Sequence, residues 1–282
     1  MFKRLKQLKD LLWAAAIALA LLFVFGGFLV SAILPYHGDR TRPVMDLRGD
    51  RTETENREKS SKDSAKNAQT LRLEADGTLH PLVETAAADQ SYLDALCFLC
   101  DSGYVHLRGS GLTAGQIWSS ESGQLPMGTS GDWTIRYPGD ASFISPVRAA
   151  SVARPDYLII AIGSDALTDL SRDDFIRNYT ALIQDILSSS KKTSIACLSI
   201  CPVTASYVGA DGLDKDKVNE VNGWIKTVCT QTGVYYGDLN ATLCGDDGYL
   251  RSEFSDSSGR SLNSTGLKAL LNYLAVHDLR AQ

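Results

Sequence analysis

Histidine is scarce in this chain. Its 282 residues include four, His37, His80, His106 and His277, with no H-x-x-x-H spacing among them. No tandem C-x-x-C motifs occur either, so a zinc site is not expected, and no cofactor is. Gly109-Ser-Gly111 is not followed by Gly-Lys-Ser/Thr, which excludes a phosphate-binding loop. The net charge is −5, and beyond the N-terminal tail the basic residues are scattered, so nucleic acid is not an expected partner. No internal repeat is visible. One long stretch also lacks charge: the 24 residues Leu11–Leu34, LLWAAAIALALLFVFGGFLVSAIL.

As a helix rising 1.5 Å per residue, that stretch is long enough to cross a hydrocarbon core of about 30 Å. Lys3, Arg4, Lys6 and Lys9 precede it and are expected to hold the N-terminus in the cytoplasm. The run is longer than the apolar region of a cleaved signal, and Val30-Ser31-Ala32 is a poor cleavage site. Expected, therefore, are a cytoplasmic tail at residues 1–10, a transmembrane helix at 11–34, and an extracytoplasmic remainder held to the membrane as its partner. From Asp46 to Lys66, 12 of 21 residues are charged, with both signs mixed. Such a segment cannot bury enough apolar surface to offset ordering entropy. It predicts a polar, disordered tether over 35–90, interrupted at most by a small hairpin around Asp76-Gly77 with Leu71, Leu73 and Leu79. Residues 91–282 remain, enough for one well-filled core.

Six cysteines allow 15 full pairings, and the sequence does not choose among them. Cys97-Phe-Leu-Cys100 has redox spacing but lies in a strand-like run, where residues three apart face opposite sides. Packing or a structural bond is the better expectation. Three Asn-x-Thr matches, at Asn178, Asn240 and Asn263, are close to chance in a chain this rich in Ser and Thr.

From about Asp94, apolar runs alternate with helical periodicity. Ala95–Cys100, Asp156–Ile162, Thr193–Ile200 and Val234–Tyr236 are continuous rather than alternating, as suits strands covered on both faces. Between them, Ser171 caps a helix with Asp173 and Asp174 in its first turn. Val218, Val221, Trp224, Ile225 and Val228 mark another, closed by Gly233. Asn263 or Ser264 caps a last one carrying Leu267, Leu270, Leu271 and Leu274. Trp118 and Trp133 fit core packing better than a sugar platform. The alternation predicts an α/β fold, a three-layer, doubly wound parallel sheet of flavodoxin-like type. Ligands in such sheets bind at the carboxyl ends of the strands, near the switch point.

The residues following the strands are Cys100-Asp101-Ser102-Gly103, then Gly163-Ser164-Asp165, then Cys201-Pro202-Val203, and before the last helix Ser255-Asp256-Ser257-Ser258-Gly259-Arg260-Ser261-Leu262-Asn263. This succession resembles the SGNH (GDSL) hydrolase family, in the exported form of Gram-positive bacteria, over about Asp94 to Leu279. The resemblance implies that Ser102 takes the nucleophile position, with its N–H at a helix start, and Asp101 the aspartate of the same block. Cys100 replaces a glycine. Asp165 stands where the oxyanion asparagine belongs, Ser261 at the histidine and Ser258 at the aspartate. The glycine of the second block is left open among Gly109, Gly111, Gly128 and Gly131.

These replacements have chemical consequences. A serine hydroxyl needs a base, and Ser261 is not one near neutral pH. One lost oxyanion donor alone costs about 10²–10³ in rate, and an ionised Asp165 would oppose an oxyanion. Without a triad, about 10³–10⁴ over water survives. His106, one turn along if the helix is regular, His277 in the last helix, and Asp256 near the aspartate position are the only substitutes in view. The expectation is a catalytically impaired, SGNH-like extracytoplasmic domain, with Ser102 vestigial, whose cleft binds a cell-wall glycan or acylated ligand. Two alternatives stand beside it: an active surface esterase or deacetylase using Ser102 with an atypical base, and a scaffold acting through anchor and tether.

Overall fold

The computed structural model describes residues 76–128, 133–139, 142–167, 170–209 and 211–282. The expected tail, the membrane helix Leu11–Leu34 and residues 35–75 of the tether lie outside them. Among the described residues no helix is long and apolar enough to cross a membrane.

The folded region is α/β. Six parallel strands form one sheet: β1 (His80–Pro81), β2 (Leu96–Cys100), β3 (Gln116–Trp118), β6 (Tyr157–Ala161), β7 (Ser194–Leu198) and β8 (Tyr235–Gly237). Their spatial order is β1-β8-β7-β6-β2-β3. Without β1 this is the flavodoxin-like order, with its switch point between β2 and β6. β4 (Ile135–Arg136) and β5 (Phe143–Ile144) make a separate antiparallel pair.

The central strands are continuous apolar runs because both faces are covered. On one face Cys97, Leu99, Leu158, Ile160, Ile195 and Cys197 pack under α2 (Pro146–Ala153), α3 (Arg172–Ser189) and α4 (Lys215–Thr232). On the other, Phe98, Cys100, Ile159, Ala161, Ala196 and Leu198 pack against α1 (Gln90–Ala95), α5 (Asn240–Leu243) and α6 (Ser264–Ala275). Trp118 and Trp133 are core residues, 0% and 6% exposed.

The expected caps are in place. Ser171 accepts the Asp174 N–H, Asn263 accepts those of Thr265 and Gly266, and Gly233 closes α4 in the left-handed region at φ +66°. Cys97 and Cys100 face opposite sides of the sheet, and all six cysteines are free thiols.

The fold begins earlier than expected. Within the segment assigned to the tether, β1 pairs in parallel with β8, Leu82 is buried, and the Thr85 and Ala88 amides bond to Val276 and Ala275. The turn at Asp76-Gly77 is present, with Gly77 at φ +80°, but it delivers β1 to the sheet edge rather than to a hairpin partner among the described residues. Two residues, one of them a proline, leave no periodic signal, so their membership in the sheet depends on β8.

Candidate active site

The switch point sets two strand ends side by side. β2 leads into Asp101 and a 3₁₀ segment, Ser102–Leu107; β6 leads through Gly163 into a second, Ser164–Ala166. Asp101 is fully buried beneath both. It accepts the Gly103 N–H on Oδ1 at 3.1 Å, and on Oδ2 the Gly163 and Ser164 N–H groups at 3.0 and 2.8 Å and the Ser164 hydroxyl at 2.7 Å. Asp101 therefore ties the two loops together and fixes the height of Ser102 relative to Asp165. Burial first, and then the charge of Asp165, push its carboxyl up to about 6.

Above that tie, Asp165 is held by four donors. Its Oδ1 accepts the Ser102 hydroxyl at 2.5 Å and Arg260 Nη2 at 3.0 Å. Its Oδ2 accepts the backbone N–H of Ser102 at 3.1 Å and of Leu125 at 2.9 Å. All four contacts to the carboxyl are donors. Arg260 also donates from Nη1 to the Ser102 hydroxyl, from Nη2 to the Ser164 carbonyl at 3.2 Å, and from Nε to Asp211 at 2.9 Å. Burial works against its charge, but Asp165, Asp101 and Asp211 more than offset that and hold the guanidinium above its ordinary range. The Asp165 side chain is 4% exposed and that of Arg260 16%, so this is a largely desolvated ion pair.

Of the other expected site residues, Ser261 is buried and donates to the Ser102 carbonyl at 2.9 Å, a backbone tie rather than a contact with the hydroxyl. Ser258 is not brought to Ser102. Its N–H and hydroxyl bond Asp256 Oδ1, whose Oδ2 meets His106 Nε2 at 2.9 Å on the exposed rim. His106 is displaced because its segment is not a regular α-helix: it is a 3₁₀ turn broken at Tyr104 (φ −117°, ψ 17°). At about 2 Å rise and three residues per turn, four residues carry it about 8 Å along and about a third of a turn around. His277 lies in the C-terminal region, bonded to the Tyr273 carbonyl and stacked on that ring at 4.0 Å. Among the described residues no imidazole is bonded to Ser102.

Sequence reasoning missed Arg260, Asp211 and Leu125. A backbone amide such as that of Leu125 carries no residue signature, and none of the second-block glycine candidates supplies it. Gly109, Gly111 and Gly128 have open space about them, and Gly131 lies outside the described residues. Arg260 did carry a signal: a cation beside the replaced histidine position, in a chain with an anion at the replaced asparagine position.

This geometry coincides with a family match. The sequence profile of the GDSL-like Lipase/Acylhydrolase family matches residues 100–268, from the last residue of β2 into α6. The chain belongs to the GDSL-like lipase/acylhydrolase family. No curated protein matches it. Solved structures that the chain matches include a Streptococcus pneumonia protein named for platelet activating factor (18% identity, TM-score 0.46, covering 80% of this chain and 98% of that one). Another is the periplasmic domain of a lipopolysaccharide acetyltransferase from Salmonella ser. Paratyphi A (14%, 0.41, 64% and 82%). A third is a family two carbohydrate esterase from Cellvibrio japonicus (16%, 0.33, 64% and 62%).

Two converging backbone N–H groups beside a serine hydroxyl are the kind of donors an acyl oxyanion would need. In this chain the Ser102 and Leu125 amides do converge, and the oxygen they hold belongs to Asp165. The cradle is formed and filled from within.

Proposed function

We propose that this chain is a membrane-anchored extracytoplasmic member of the GDSL-like family whose Ser102 centre no longer turns over esters, and whose domain recognises a cell-surface glycan or acylated ligand. The anchor rests on Leu11–Leu34 and the basic residues before it. The ligand class comes by analogy with the family alone.

One observation carries the loss of turnover: Asp165 occupies the two amides that an acyl carbonyl would need. To enter, a substrate must displace a carboxylate held by four donors. Once there, its developing charge would face that carboxylate, and no imidazole stands ready for the Ser102 proton. Each defect alone costs orders of magnitude in rate.

The test is hydrolysis of p-nitrophenyl acetate by the purified chain and by Ser102→Ala. Equal, near-background rates are expected. Turnover that disappears in the alanine variant overturns this reading. It would favour a second one, suggested by the 2.5 Å Ser102–Asp165 bond, in which Asp165 leaves the amides and accepts the serine proton while Arg260 steadies the alkoxide. For the anchor, the full chain is expected to stay with membranes through an alkaline carbonate wash, and its release would remove that part of the proposal.

A further inference from the structure

A second concavity lies away from Ser102, at the open edge of the sheet. Among the described residues β3 is an edge strand, paired with β2, and its Gln116 and Ile117 line a cavity of about 560 Å³. Its walls include Arg108, Gln116, Ile117, Arg136, Tyr137 and Gly139. Residues 76–282 contain 15 Lys and Arg against 24 Asp and Glu, yet the described wall holds two arginines and no carboxylate.

The two cations are held differently. Arg108 is fixed, its Nε and Nη2 bonded to Ser119 and its Nη2 also to the Ser120 carbonyl; among the described residues no acidic side chain pairs with it. Arg136 is half exposed and pairs with the exposed Glu121 at 3.6 Å. Gln116 takes the Trp118 indole N–H on its amide oxygen at 3.2 Å, which leaves its amide N–H donors for another partner. A preset guanidinium, a half-exposed one, an amide donor and an aromatic ring suit an anionic group attached to a hydroxyl-bearing body. The volume falls in the range of small-ligand sites.

We propose that this cleft binds a phosphorylated or carboxylated, hydroxyl-rich small molecule of sugar size, with Arg108 and Arg136 on the anionic group and Gln116 and Tyr137 on the body. It shares no lining residue with the Ser102 centre, so it stands or falls whichever way the ester assay comes out.

The test is calorimetric titration of the purified full-length chain with glucose 6-phosphate, glucuronate and, as the uncharged control, glucose. Saturable binding of at least one charged sugar and none of glucose is expected. Arg136→Ala, a change at a half-exposed side chain, should weaken it at least about tenfold, as loss of a charged hydrogen bond does, with Arg136→Lys between the two. A phosphate-only response identifies a phosphoryl ligand, and a glucuronate-only response a carboxylate. Failure of both charged sugars to bind, equal binding of glucose, or undiminished affinity in Arg136→Ala overturns the proposal.

Discussion

The Ser102 hydroxyl donates to Asp165 Oδ1 at 2.5 Å, and the Ser102 amide donates to the other oxygen of the same carboxylate at 3.1 Å. Nucleophile position and amide cradle are thus bound to one side chain. Among the described residues Arg260 is the cation paired with that carboxylate.

The Asp165–Arg260 pair should behave as a unit. Arg260→Met strands a buried carboxylate and is expected to cost about 3–5 kcal/mol in urea unfolding, as removal of one partner of a buried pair does. Adding Asp165→Asn should recover most of that loss, giving a large coupling energy in the double-mutant cycle. Additive losses would show that the two charges do not compensate one another.

Asp101 predicts a pH effect with a definite sign. Burial and the charge of Asp165 raise its carboxyl from 3.8 to about 6, so the folded state keeps a proton that the unfolded chain releases. That stabilisation is complete below the ordinary value and is lost as pH rises toward about 6. Asp101→Asn should remove this part of the slope from a plot of unfolding free energy against pH. At neutral pH the variant should also be less stable by about 1–3 kcal/mol, because an amide N–H₂ would face groups that need an acceptor. An unchanged slope between pH 4 and 6 would contradict the assignment.

Gly163 is placed where a side chain is strained. Its φ is +134°, and a Cβ there would lie 3.1 Å from Ile200 Cγ2 and Phe175 Cζ, while its amide serves Asp101. Gly163→Ala should lower stability by about 1–3 kcal/mol with the m-value unchanged. A neutral effect would mean the turn relaxes without cost.

Thiol reactivity should follow burial. Cys97, Cys100, Cys197, Cys201 and Cys229 are buried, and desolvation raises the Cys97, Cys100 and Cys201 thiols; Cys244 is half-buried and pushed up to about 11. Ellman's reagent on the native chain should find at most one slowly reacting thiol, and six after unfolding under nitrogen. Fewer than six in the unfolded chain would reveal a disulfide.

The parts legible in the sequence were those governed by local pattern. β2, β6 and β7 were readable because two-sided burial writes a continuous apolar run into five residues. Ser171 and Asn263 were readable because a cap bonds amides two or three residues away. β1 and β3, two and three residues long, were not, since so short a strand is defined by what it pairs with. The site divided in the same way. Ser102, Asp101 and Asp165 follow strands and could be placed by counting, and the absent histidine was visible as Ser261. A regular helix would have set His106 one turn along from Ser102; the segment is instead a broken 3₁₀ turn, and His106 is a surface histidine bonded to Asp256.

Read alone, the residues determined the strand–helix alternation, the position of the serine, and the lack of an imidazole in the last loop, because periodicity and composition act over neighbouring residues. Tertiary structure decided what occupies the cradle. Asp165, Leu125 and Arg260 approach Ser102 across separations of up to 158 residues. Their convergence depends on the order in which the strands pair and on the cost of leaving a buried charge unmatched, and neither is recorded at any single position of the chain.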